Sequence, residues 1–192
     1  MAILRLGRLR PLLARAVGTL LLVGVLGAPA SGWAQISEAQ AKVAFLLNFA
    51  RYVEWPERAF PARDTPLYVC VIGRDSLGTA LAALESRQVQ GRPIKVRRGV
   101  TLEDFRGCHL VFVSDSEERR LVPTLRALAG HPVLTVGDTD GFIDAGGAIG
   151  IVAGEDRLQF EVNRAALDQA QLKAGSQLLK LARNLADARP RN

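Results

Sequence analysis

The sequence predicts an α/β fold: an open, mainly parallel sheet of five to six strands, helices on both faces and a C-terminal β-hairpin. Three observations carry that expectation. Leu67-Tyr68-Val69-Cys70-Val71-Ile72-Gly73 is a continuous apolar run of strand length, as a strand buried on both faces requires. Leu110-Val111-Phe112-Val113 and Val133-Leu134-Thr135-Val136 repeat the pattern, with helical segments between. After Asp144-Ala145-Gly146-Gly147 the pattern changes to two strands joined by Ala153-Gly154-Glu155-Asp156, the spacing of a hairpin.

The N-terminus stands apart from this pattern. Arg5, Arg8, Arg10 and Arg15 precede an apolar run from Ala16 to Gly27, and small residues follow as far as Ala34. That is the layout of a secretory signal over residues 1–34, with cleavage after Ala34 or, alternatively, Ala30. A retained anchor is the competing reading, but twelve residues fall short of the roughly 20 that cross a hydrocarbon core about 30 Å thick. Without that segment, residues 35–192 carry 21 basic against 19 acidic side chains. The high pI therefore comes largely from the signal, and no basic patch interleaved with aromatics points to nucleic acid. A chain of 158 residues fits one domain.

Ser37 and Gln40 form a capping box that opens the first helix. Val43, Leu46, Leu47 and Ala50 keep the spacing of one buried face, while Phe45, Phe49 and Tyr52 make a second apolar stripe. That second stripe either packs inside the fold or meets a partner. Glu54-Trp55-Pro56 ends the helix, because a residue before proline avoids the α region. After the strand at 67–73, Asp75 or Ser76 caps a helix over about 76–86. A strand at 94–97 alternates like a sheet edge. The second cysteine strand spans 108–114, and a helix runs over 117–128, with Pro123 shortening its start. A flavodoxin-like order places the 67–73 strand between those at 94–97 and 108–114. Beyond the hairpin, Asn163 caps a helix at 164–170. A last helix from Ser176 carries Leu178, Leu179, Leu181, Ala182 and Leu185, and residues 188–192 form a frayed tail.

Cys70 and Cys108 are the only cysteines, one on each neighbouring strand segment. In an exported chain they are expected to form a disulfide; two buried free thiols are the alternative. Asp75, Ser76, Asp115 and Asp138 follow buried strands, at the edge where open α/β sheets form ligand crevices. Three carboxylates there can hold Mg²⁺, but helix capping accounts for Asp75 and Asp115 without a metal. The turn at Gly73–Gly78 lacks both common phosphate-loop motifs and fits a plain capping turn. His109 and His131 lie in no motif with a nucleophile, so no enzyme activity, metal or cofactor is expected.

Six blocks in order resemble the YfiR-like family. They are Ala41–Ala50 with Trp55-Pro56, Val69–Gly73, Gly107–Ser114, Leu134–Asp138, Gly146–Ile149 with Phe160–Asn163, and Ser176–Ala182. The resemblance covers about residues 38–186. Two positions depart from the family pattern: Ala148 replaces the usual Met and Gln177 the usual Lys. A second cysteine pair near the hairpin, present in the best-known branch, is missing here. The resemblance implies a periplasmic regulator that binds and represses the sensor domain of an inner-membrane diguanylate cyclase, lowering cyclic di-GMP and biofilm formation. It also implies an outer-membrane peptidoglycan-associated lipoprotein that sequesters the regulator, and it makes the Cys70–Cys108 pair its firmest carry-over. A homodimer stays open. Phe45, Phe49, Tyr52 and Trp55 are the expected partner contacts. The alternative is a periplasmic small-ligand binder serving a sensor kinase or transporter, using the crevice residues.

Overall fold

A computed structural model describes residues 37–187; the signal segment, its cleavage site and the tail at 188–192 lie outside them. In chain order the elements are α1 (Glu38–Tyr52), β1 (Val53–Glu54), β2 (Leu67–Ile72), α2 (Ala82–Glu85), β3 (Gln88–Val89) and β4 (Arg92–Arg97). Then come β5 (Leu110–Val113), α3 (Leu121–Leu128), β6 (Leu134–Gly137), β7 (Ile149–Ala153) and β8 (Leu158–Asn163). The last are α4 (Arg164–Gln169), β9 (Lys173–Ala174), α5 (Ser176–Leu181) and β10 (Asn184–Ala186).

The main sheet has eight strands in the order β10-β8-β7-β6-β5-β2-β4-β3. From β4 to β7 every pairing is parallel; β8 returns antiparallel as the predicted hairpin partner. The expected β4-β2-β5 order is present, so the two cysteine-bearing segments are neighbours. The sheet is wider than the five to six strands expected because short strands extend both edges. β3 pairs with β4 through two residues and β10 with β8 through three, and β1 and β9 form a separate pair. Segments this short have no periodicity to read.

The alternation of side chains along the central strands explains their unbroken apolar runs. On one face Leu67, Val69, Val71, Leu110, Phe112, Leu134 and Val136 pack against Val43, Leu46, Phe49 and Ala50 of α1, with Leu84, Leu167 and Leu178 from α2, α4 and α5. On the other face Cys70, Ile72, Val111 and Val113 meet Leu121, Leu125 and Leu128 of α3, with Phe105 and Phe142. Helices on both faces leave no wet side to these strands, so their positions are apolar apart from the buried Thr135, whose hydroxyl accepts from the Ala148 N–H.

Local signals set most element ends. Ser37 Oγ accepts from the Gln40 N–H at 3.2 Å, and Gln40 Oε1 accepts from the Ser37 N–H at 2.8 Å, so both halves of the capping box form. Asn163 Oδ1 caps α4 by accepting from the Ala166 N–H. Three expectations need correction. The helix at 76–86 is a 3₁₀ turn at Gly78–Leu81 followed by the single turn of α2. The helix at 117–128 starts as a 3₁₀ segment, Asp115–Arg120, and becomes α only at Leu121. Pro123 then falls in the first turn of α3, where a missing N–H costs least. The final helix ends at Leu181, and Leu185 lies on β10, opposite Val162.

Candidate functional site

The carboxyl ends of β2, β5 and β6 place the four predicted crevice residues, and the three carboxylates among them find different uses. Asp75 Oδ1 accepts from the Leu77 and Gly78 N–H groups at 3.1 and 2.8 Å, and its other oxygen meets Arg98 Nε at 2.9 Å. It is the cap of its turn. Asp115 is not a cap: Ser114 takes that role, accepting from Ser116 N–H, and also donates to Asp115 Oδ1. Asp138 is half of a largely buried ion pair, with Lys42 Nζ at 2.6 Å. Burial pulls the Lys42 pKa down, but hydrogen bonds and charge from Asp138 and Glu38 outweigh it and leave the pKa raised.

These residues do not converge. The crevice between β2 and β5 is filled by the β5 turn, since Ser116 Oγ accepts from the Arg74 N–H at 2.9 Å. Gly73 is required there. Its φ is +87°, and a Cβ would lie 2.6 Å from Ser116 Oγ. Among the described residues, no group of three His, Cys, Asp or Glu is placed to hold a metal ion. The open space lies instead between α1 and the Gly78–Leu81 turn. It is a groove of about 600 Å³ whose walls include Asp75 and Ser76 but neither Asp115 nor Asp138.

The expected partner face is also narrower than the sequence pattern implies. Phe49 is fully buried, 5.7 Å from the Phe45 ring and edge-on to Phe160 at 5.1 Å between centroids. Trp55 is buried too, and its Nε1–H donates to the His109 carbonyl at 3.0 Å. Both belong to the core, because β8 covers the second stripe of α1 and Trp55 ties the end of that helix to the start of β5. Tyr52 is exposed, and half-buried Phe45 borders a shallow pocket with Phe160 and the 72% exposed Leu181.

At the opposite, amino edge of the sheet lies the disulfide. Cys70 of β2 and Cys108, just ahead of β5, are bonded, with Cα atoms 5.9 Å apart and both side chains buried. Next to it, His109 is fixed by two backbone groups. The Tyr68 N–H donates to Nδ1 at 3.0 Å, which leaves the proton on Nε2 to donate to the Ala59 carbonyl at 3.0 Å. The imidazole is therefore a neutral strut between β2, β5 and the Ala59 turn, stacked on Phe60 at 4.3 Å. Burial lowers its pKa from 6.5, with Arg92 and Arg97 adding to the effect and the Ala59 hydrogen bond opposing it.

A proton on His109 would take the acceptor from Tyr68 N–H, so a depressed pKa makes the fold pH-sensitive. The unfolded chain binds this proton first, so the contribution is complete above the unfolded value of 6.5 and is lost as pH falls through the lower folded value. Urea unfolding of the wild type is expected to show a stability decline below that pH that His109→Asn largely lacks. The substitution itself should cost about 1–3 kcal/mol at neutral pH, since the shorter amide leaves one of the two backbone groups unmatched. Identical pH slopes for the two proteins would contradict the assignment.

Sequence reasoning missed Lys42 and Arg92. Arg92 lies over Phe60, 3.9 Å from its centroid, and donates to the carbonyls of Ala62, Arg63 and Thr65, clamping the loop before β2. Its partners lie about thirty residues away, and no motif announces them.

Comparison with known proteins adds one informative match and two that carry no argument. Among solved structures, the chain resembles the ABC domain from Streptococcus pneumonia, described in complex with L-Trp, at 7% identity and a TM-score of 0.49, over 77% of this chain and 60% of that one. It also resembles a conserved domain protein from Vibrio cholerae at 10% identity and a TM-score of 0.46, over 78% and 60% respectively. The chain thus spans under two thirds of either structure. Among the described residues no helix is long and apolar enough to cross a membrane. The informative match is to a family model, YfiR/HmsC-like, over residues 39–183, from the first turn of α1 to the residue before β10. The chain therefore belongs to the YfiR/HmsC-like family, whose members act as periplasmic regulators in cyclic di-GMP signalling.

Proposed function

We propose that this protein represses an inner-membrane diguanylate cyclase by binding the cyclase's periplasmic sensor domain, and that it turns over no substrate of its own. Family membership across residues 39–183 is the observation that carries this reading. The action must be differential binding, because a regulator shifts its target only by favouring the inactive state. Moving that equilibrium from 1:99 to 99:1 takes roughly 5.5 kcal/mol of preference. Tyr52, the exposed edge of Phe45 and the neighbouring Leu181 form the proposed contact; Phe49 supports it from below. An outer-membrane peptidoglycan-associated lipoprotein competing for the same face would relieve repression, and so would burial of that face in a homodimer.

Deleting the gene is expected to raise cyclic di-GMP and surface attachment. Complementation with the wild type should restore both, whereas Tyr52→Asp/Leu181→Asp should restore them poorly, since both side chains are exposed and their loss leaves the core intact. Unchanged cyclic di-GMP on deletion, with the cyclase expressed, would reject the repressor reading. The small-ligand binder would then lead, favoured by the groove beside Asp75 and Ser76.

A further inference from the structure

We infer that the cavity at the amino edge of the sheet, beside the Cys70–Cys108 disulfide, binds a small organic oxyanion, a phosphate or carboxylate carried on a compact, flat body. The cavity measures about 280 Å³, near the lower end of the range for ligand pockets. Three arginines from three separate segments line it: Arg58, Arg97 and Arg106. No Asp or Glu does. None of the three takes part in an ion pair among the described residues. Among the described residues Arg58 donates to the neutral Gln171 side-chain oxygen alone, and the Arg97 guanidinium lies over the Tyr68 ring, 3.9 Å from its centroid.

Three like charges around one concavity repel each other, and the nearby carboxylates that would normally offset them are missing from its walls. An anion offsets them. Guanidinium groups suit it, because their planar fork matches carboxylate and phosphate oxygens two at a time. The rest of the wall sets the shape of the ligand. Tyr68, Phe105 and the buried Cys108 give it an apolar side, with His131 edge-on to Phe105 at 5.0 Å. His109 contributes no free donor, since both its nitrogens are engaged by backbone. The fixed positive charge that faces the anion therefore comes from the three arginines. The cavity is on the sheet edge opposite the Asp75 groove, so this site is independent of the ligand-binder reading above, and of the cyclase reading.

The test is a titration of isotope-labelled residues 35–192 with phenyl phosphate, benzoate, inorganic phosphate and, as a cationic control, benzylamine, following backbone amide shifts. Phenyl phosphate or benzoate should saturably shift the amides of Arg106, Gly107 and His131, and bind more tightly than inorganic phosphate; benzylamine should not shift them. The tighter of the two organic anions identifies the head group as phosphate or carboxylate. Arg97→Gln/Arg106→Gln should weaken binding about tenfold or more while leaving the remaining spectrum intact, as two lost charge-assisted contacts require. Arg119→Gln, at the other edge of the sheet, should leave binding unchanged. Equal affinity in the double variant, shifts centred elsewhere, inorganic phosphate binding as well as its phenyl ester, or no shift with any of the anions would overturn the assignment.

Discussion

Replacing both Cys70 and Cys108 with alanine is expected to lower the unfolding free energy by about 4 kcal/mol. The bridge closes a 38-residue loop, which restricts the unfolded chain in the loop-entropy account. The loop spans α2, β3 and β4, so the bond ties the first long strand, β2, to its neighbour β5 past everything inserted between them. Alanine rather than serine is the informative change, because both positions are buried and a hydroxyl would add an unmatched polar group. Urea unfolding of both proteins, with and without reductant, measures the effect. Reductant should destabilise the wild type to near the level of the variant and leave the variant unaffected. A difference below about 1 kcal/mol would mean that packing alone holds β2 and β5 in place.

Lys42→Met is the second large effect, at about 3–5 kcal/mol, the cost of leaving one buried ion without its partner. The side chains of Lys42 and Asp138 are only 13% and 7% exposed. Among the described residues Asp138 Oδ1 has no hydrogen-bond partner, so without Lys42 the carboxylate keeps almost nothing there. The reverse substitution, Asp138→Ala, should cost less, because Lys42 also contacts Glu38 at 2.6 Å, at a position open to water. Lys42→Met/Asp138→Asn should regain much of the loss by removing both charges. Chemical denaturation of the four proteins gives the order. A Lys42 variant no less stable than the Asp138 variant would contradict it.

The sequence made the centre of this fold legible and its margins obscure. Residues 67–73 and 110–113 read as strands because helices cover both their faces, and such strands have no polar position to break the run. The capping box at Ser37 and the cap at Asn163 were legible because both are local, satisfied within three residues. Periodicity assigns Leu185 to a helix, because β10 is three residues long and its pairing with β8 is not written in any local pattern. The two apolar stripes of α1 were visible too. Periodicity does not reveal that Phe160, more than a hundred residues away, covers Phe49 and buries it.

The candidate sites follow the same rule. Asp75 reads as a cap or a ligand, and its cap is completed by Leu77 and Gly78, within the next three residues. The end of a strand puts Asp138 at a crevice, but its use is decided by Lys42, 96 positions earlier. Arg58, Arg97 and Arg106 carry no motif. Only the fold brings their loops to one cavity, which is why a near-neutral charge balance over residues 35–192 gives no hint of a local excess of positive charge.

The most direct test of the central claim is the rate of cyclic di-GMP synthesis from GTP by membranes that carry the native cyclase, titrated with purified residues 35–192 added on the periplasmic side. The regulator reading predicts a saturable fall in rate with the wild-type protein and a weaker response to Tyr52→Asp/Leu181→Asp. A rate unchanged at saturating wild-type protein would contradict it.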